Sequence, residues 1–161
     1  MLRVAVLFCL VSWVCAVQMP CRNCNSKDVK LPSATAIPAP SGTCQSVTVT
    51  PCEKAPCELK RGTNVTFEVQ FTAGSAASKL TAEVHGVINK IPIKFPLPNS
   101  NGCKDSGITC PLVPGQMYTY KDTLFIQSIY PLVSVVVQWN LKDENGTPVF
   151  CVVVPAKIGP Q

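Results

Sequence analysis

Catalytic chemistry has little to draw on in this chain. Its only histidine is His85, and a Ser or Cys nucleophile needs such a base beside it. In "KLTAEVHGVI" (79–88) the alternation buries Leu80, Ala82, Val84 and Ile88, which sends His85 outward next to Gly86. That position suits a surface or hydrogen-bonded structural histidine better than a proton shuttle. The nine carboxylates are scattered over loops and polar faces, with no pair set for acid and base roles. Cys21-x-x-Cys24 has the spacing of half a zinc site, but no second pair follows at finger spacing and His85 has no ligand partner nearby. A redox role for the same pair would want a βαβ setting that the sequence lacks. No glycine loop suited to phosphates occurs. The chain is read as a non-enzyme without metal or cofactor.

Apolar surface is what the sequence supplies in excess. In "INKIPIKFPLPNSNGC" (88–103) Ile91, Ile93, Phe95 and Leu97 alternate with Pro92, Lys94, Pro96 and Pro98, the pattern of a strand with one apolar face. Proline offers the ladder no N–H, so this strand belongs at a sheet edge. An apolar edge that cannot complete its ladder lets two sheets part along that side, and the gap is a pocket for an apolar ligand. "DTLFIQSIY" (122–130), with Leu124, Ile126, Ser128 and Tyr130 on one side, and the strand carrying Trp139 supply further large side chains for such a pocket.

The elements that must position these residues are short strands. "QSVTVTP" (45–51) is β-branched, and "NVTFEVQF" (64–71) points Val65, Phe67, Val69 and Phe71 inward. "LVSVVVQWNL" (132–141) and "TPVFCVVVPAKI" (147–158) follow, joined through "DENGTP" (143–148), a hairpin centred on Asn145-Gly146. No stretch carries a helical period with caps. The prediction is all-β, an immunoglobulin-like two-sheet antiparallel sandwich with a lipid pocket between the sheets.

The first sixteen residues, "MLRVAVLFCLVSWVCA", read as a secretory signal cleaved after Ala16: an early Arg3, an apolar run too short to span a bilayer, and a small-residue site. Removing them leaves one domain's worth of chain. It also leaves Cys21, Cys24, Cys44, Cys52, Cys57, Cys103, Cys110 and Cys151, an even set that reads as a disulfide framework in an oxidising compartment. Eight cysteines allow about 105 pairings, which the residues alone do not resolve. Sequons at Asn64 and Asn145 fit the same route, and Asn64 falls on the wet face of its strand. Residues 17 to 43 are rich in Pro and Ser without periodicity and read as loop. The net charge of +5 is mild, with no basic run or aromatic-laced stripe, so nucleic acid is not an expected partner.

Six blocks of the chain resemble a known family: "VTPCEKAPCEL" (49–59), "VHG" (84–86), "IKFPLPNSNGC" (93–103), "CKDSGITCP" (103–111), "YTYKDTLFIQSIYP" (118–131) and "VVVQWNLKDENG" (135–146). In order and spacing they are similar to the ML lipid-recognition domain family, and within it to small soluble sterol carriers of lysosomes and secretions. The resemblance implies a sterol held between two sheets, its hydroxyl towards solvent. Matched motif by motif, it implies pocket positions at Phe95, Ile126 and Tyr130, to which the alternation adds Ile93, Leu97 and Trp139. Ile126 stands where vertebrate members carry a smaller β-branched residue.

The resemblance also implies the pairs Cys24–Cys151, Cys52–Cys57 and Cys103–Cys110, leaving Cys21–Cys44. Cys44–Cys151 with Cys21–Cys24 is the alternative. Residues 17–43 are then an N-terminal extension with 27–43 inserted, and 44–161 are the domain, with Cys24 tied to it. The function expected is that of a monomeric, secreted or endolysosomal carrier that passes a sterol to membranes or to a membrane sterol transporter. A carrier of fatty acids or semiochemicals, or an immune lipid-recognition module, are the alternatives on the same fold.

Overall fold

The computed structural model describes residues 6–9, 14–25 and 37–161. Within these segments lie ten strands: β1 (Val6–Cys9), β2 (Cys15–Met19), β3 (Thr43–Thr50), β4 (Cys57–Lys60), β5 (Asn64–Thr72), β6 (Thr81–Ile88), β7 (Ile91–Phe95), β8 (Met117–Phe125), β9 (Ser134–Lys142) and β10 (Pro148–Gly159). They form a sandwich of two sheets, β1-β2-β3-β5-β8 and β4-β10-β9-β6-β7. Every pairing is antiparallel except β4 with β10, which run parallel from Cys57 opposite Ala156 to Lys60 opposite Gly159.

Period-two alternation builds the core as the sequence predicts. On β5, Val65, Phe67, Val69 and Phe71 are buried between partly exposed polar neighbours, and Asn64 is exposed. The facing sheet contributes Ala82 and Val84 from β6 and Val135, Val137, Trp139 and Leu141 from β9. Phe71 packs on Phe150 at 5.2 Å between ring centroids, and Phe67 on Trp139 at 5.1 Å. Between β9 and β10, Asp143 takes the turn. Its Oδ1 accepts from the backbone N–H groups of Asn145 and Thr147, both at 2.9 Å, and Gly146 supplies the left-handed φ of +78°.

β10 breaks the alternation, because Pro148 to Val154 form an unbroken buried row. Its inner face meets the core, while its outer face is roofed by the N-terminal segment. Cys24 and Cys151 are joined by a disulfide, the Cys24 N–H donates to the Cys151 carbonyl at 3.1 Å, and the Val153 N–H donates to Arg22 O at 2.9 Å. Ile37 and Val136 pack against this small second cluster of Cys24, Cys151 and Val153. Disulfides also join Cys21 to Cys44, Cys52 to Cys57 and Cys103 to Cys110. With Cys21 and Cys24 in separate bridges, neither thiol is left for zinc or for redox exchange.

Four elements differ from the sequence reading. The 88–98 strand stops at Phe95, because Pro96 and Pro98 cannot donate to a ladder. The 122–130 strand runs instead from Met117 to Phe125. Its first half was obscured by Lys121 and Asp122, which interrupt the apolar rhythm. Its end is taken up by local bonds, Ile126 N–H to Thr63 O at 2.9 Å and Tyr130 N–H to Gln127 O at 3.2 Å. Residues 17–19, read as loop, are strand, with Val17, Gln18 and Met19 opposite Val49, Thr48 and Val47. β4 was not anticipated; four residues are too few to show a period. Residues 26–36, most of the stretch read as an insertion, lie outside the described residues.

Candidate functional site

β7 ends one sheet and β8 ends the other, and residues 96–116 carry the chain from the first edge to the second. This side of the sandwich is therefore where the two sheets are bridged by loop and not by ladder. The connection is shaped by the Cys103–Cys110 disulfide and by Asn101, which stands opposite Thr81. It reaches β8 through the Lys121 N–H, which donates to Ser106 O at 2.8 Å. On the same side, residues 126–133 cross back towards β9. They are held by Arg61, whose Nη1 donates to Ser128 O at 3.1 Å and to Tyr130 O at 3.4 Å, and by the Ile158 N–H on Val133 O at 2.9 Å.

Two of the predicted site residues meet here. The rings of Phe95, at the end of β7, and Tyr130 stand edge to face with centroids 5.0 Å apart and planes at 89°. Both are half-buried against the core. Burial alone raises the Tyr130 phenol above its ordinary pKa, so it stays a neutral hydrogen-bonding group at the rim. The bed for Phe95 is Gly86. A Cβ there would collide with the Phe95 ring and come within 3.1 Å of Val135 Cγ2. Gly86 is thus needed for space, and this explains the glycine that follows His85.

The other predicted residues are dispersed by depth. Leu97 is half-buried against the core, and Ile126 is fully buried. Trp139 is 1% exposed, between Phe67 and Tyr120. Ile93, by contrast, is 50% exposed at the free edge of β7, and Ile91 beside it is also exposed. With Ile129 at 82% and Leu132 on the 126–133 crossing, they give this edge a set of large apolar side chains in water. Such a concentration marks a surface built to meet something apolar.

Sequence reasoning missed Asp122. Its cross-strand neighbour is Phe67, and the alternation along β8 places it on the inner face with Tyr120 and Leu124. Oδ2 accepts from the Tyr120 hydroxyl at 3.2 Å, and Oδ1 accepts from the Thr123 N–H at 2.7 Å. Burial raises the carboxyl pKa, outweighing those two bonds. Tyr120 is itself 1% exposed, and its phenol is pushed far up, first by burial and then by the Asp122 charge. The signal in the sequence was an acidic residue at an apolar parity position in "YTYKDTLF".

The remaining polar groups do structural work on the outside. Glu83 pairs with Lys142 at 2.8 Å, a bond that holds its carboxyl below the usual range. Glu144 accepts from the Ser78 hydroxyl at 3.0 Å. His85 lies across the ladder from Lys94 and Gln138, its pKa lowered chiefly by burial. Both sequon asparagines, Asn64 and Asn145, are exposed.

The ML domain matches residues 18–158 of the chain. The chain is 38% identical, over 98% of its own length and 99% of the other's, to NPC intracellular cholesterol transporter 2 homolog a of Drosophila melanogaster. It is 35% identical, over 95% of its length and 93% of the other's, to NPC intracellular cholesterol transporter 2 of Danio rerio. Among solved structures, a Niemann-Pick type C2 protein from the Japanese carpenter ant superposes with a TM-score of 0.69 at 29% identity, covering 73% of this chain and 92% of that one.

Proposed function

This chain belongs to the ML domain family, and on that premise we propose that it carries one sterol between its two sheets and exchanges it with membranes or a partner protein. The observation that carries this reading is the Phe95–Tyr130 pair closing the bridged edge, with Ile93, Ile129 and Leu132 exposed around it. An aromatic pair of this kind is worth only about 0.5–1.5 kcal/mol beyond its buried area. Rotating the two rings apart is therefore a small cost beside the gain from covering a sterol, roughly 25 cal/mol for each Å² of apolar surface buried. The relatives named as cholesterol transporters support the same cargo.

Ile126 and Trp139 form the apolar wall that such a ligand meets once the rings part, with Phe95 and Leu97 at the lip. Ile91 and Ile93 lie exposed at the free edge, where they can touch a donor or acceptor membrane. The protein acts as a monomeric carrier in the secretory or endolysosomal lumen, its N-terminal sixteen residues removed as a leader. Cleavage after Ala16 keeps Val17, Gln18 and Met19, the residues of β2 that pair with β3. It thus takes nothing from that ladder.

Extracting the protein purified from a eukaryotic secretory host and identifying the co-purified lipid by mass spectrometry tests this function. A sterol at near-equimolar ratio is expected, and titration with a fluorescent sterol should saturate at one per chain. Fatty acid in its place, with no sterol binding, would make the protein a fatty-acid carrier. An empty protein that takes up neither probe would leave it a pure interaction module.

A further inference from the structure

Away from the pocket, the outer face of the β1-β2-β3-β5-β8 sheet holds one residue out of character. Along the β5–β8 ladder the outward cross-strand pairs are polar: Thr66 opposite Thr123, Glu68 opposite Lys121 and Gln70 opposite Thr119. At the end of β8 stands Phe125, 49% exposed, and among the described residues no other aromatic ring packs on it. Leu124 and Ile126 on either side of it are buried, so core packing makes no use of Phe125. A lone exposed apolar side chain needs no explanation by itself. This one has a particular neighbour.

The residue directly opposite Phe125 is Asn64, itself exposed and the first residue of the sequon Asn64-Val65-Thr66. Residues opposed in an antiparallel pair share a face, with Cβ atoms about 4.5–5.5 Å apart. A sugar on Asn64 Nδ2 therefore begins within reach of the Phe125 ring. N-acetylglucosamine, the first sugar of an N-linked chain, presents a face of C–H bonds, whose weakly positive hydrogens suit the negative face of an aromatic ring. The pair is also held in place from both sides. The Thr66 and Thr123 hydroxyls lie 3.1 Å apart on the same face, and the Ile126 N–H donates to Thr63 O at 2.9 Å just beyond. Asn145, the other sequon asparagine, lies in the β9–β10 turn and has no cross-strand partner.

We propose that Asn64 is an N-glycosylation site whose first N-acetylglucosamine stacks on Phe125. In the attachment, Asn64 Nδ2 bonds to C1 of that sugar while the C1–O bond of a polyprenyl-pyrophosphate-linked oligosaccharide breaks. The pyrophosphate leaves with the electron pair, and the amide gives up one proton. The stacked sugar covers the Phe125 ring. The chain beyond it stands beside the free edge of β8, where it obstructs pairing with a strand of another molecule. The inference rests on the secretory route of the proposed function and is independent of the cargo.

The test uses protein secreted by a eukaryotic host restricted to high-mannose chains, on an Asn145→Gln background so that one sequon remains. An endoglycosidase trims the glycan to its first N-acetylglucosamine. Peptide mass spectrometry should find that sugar on Asn64 in most chains. The trimmed protein should melt about 3 °C above Asn64→Gln, the shift that one aromatic contact gives in a chain of this length. On a Phe125→Ala background the same gap should shrink below about 1 °C, as expected when one partner of a coupled pair is gone. The upfield ring-current shift of the sugar's acetyl methyl in the NMR spectrum should vanish with it. Phe125 is exposed, so the alanine variant should fold, and its melting curve checks this. Secreted protein with Asn64 bare overturns the site. A gap of equal size on both backgrounds, or no gap and no ring-current shift on either, overturns the stacking. A chain that never reaches the medium overturns the secretory reading and the glycan with it.

Discussion

Strands β10 and β7 of the β4-β10-β9-β6-β7 sheet are finished in opposite ways. At β10 both faces are covered: the core lies beneath, and the N-terminal segment is fastened on top through Cys24–Cys151. At β7 the strand has a neighbour on one side only, carries Pro92 as its second residue, and leaves Ile91 and Ile93 in water. Neither strand lacks apolar residues. What differs is what has been put over them. The difference teaches that apolar sequence alone does not make a core, since the same side-chain types are sealed along β10 and left open to a ligand along β7.

The largest expected effect lies at the covered strand, β10. Replacing Cys24 and Cys151 together by serine opens a loop of 127 residues, which in the chain-entropy model removes about 4–5 kcal/mol. Chemical denaturation should show a loss of that size, with no change in lipid selectivity in the fraction that remains folded. A comparable loss of selectivity would mean that the two regions are not independent.

Next come paired aromatic truncations. Phe67→Ala, in the core against Trp139, should cost about 3–5 kcal/mol. Phe95→Ala at the lip should cost clearly less, on the order of 1–2 kcal/mol, because only part of its ring leaves a packed contact. Sterol affinity should fall for Phe95→Ala, and Phe95→Asp should abolish it by placing a charge where the ligand lies. Equal destabilisation by the two alanine variants, with sterol binding per folded molecule unchanged, would make Phe95 an ordinary core residue.

A smaller change sharpens the same contrast. Gly86→Ala adds a methyl that the Phe95 ring must vacate. Overpacking of this kind costs about 1–3 kcal/mol, and the displaced ring should alter sterol affinity as well. Pairing it with Phe95→Ala relieves the clash, so the double variant should lose less stability than the two single losses added. Simple additivity would place the strain elsewhere.

The smallest effect is a pH dependence at Asp122. Its folded pKa is raised by burial, so the ionised form weighs against folding at neutral pH. That cost is relieved as pH falls through the raised value, and it is gone below the ordinary value of 3.8. Asp122→Asn should therefore melt slightly higher than wild type at pH 7, with the gap closing as pH falls through that window. A gap that is constant across the range would show that burial does not raise the carboxyl's pKa.

Much of this molecule was determined by sequence alone. The alternation of Val65, Phe67, Val69 and Phe71 admits a single buried face, and Asn145-Gly146 offers the positive φ that the β9–β10 turn uses. Pro92 confines β7 to an edge and Pro96 and Pro98 end it, because a missing N–H is tolerated only where no neighbour asks for it. Other features were decided only by the tertiary structure. β4 is four residues long and takes as its parallel partner a strand about a hundred residues away, which no local pattern can announce. Eight cysteines are chemically alike, and only which pairs approach in space chooses among their pairings. Gly86 looks like any glycine until the Phe95 ring is laid over it. Asp122 reads as one more solvated carboxylate of a loop or polar face, since a carboxylate is costly to bury. It faces inward because its neighbours in the ladder fix the register, and the open edge leaves it enough water to stay there.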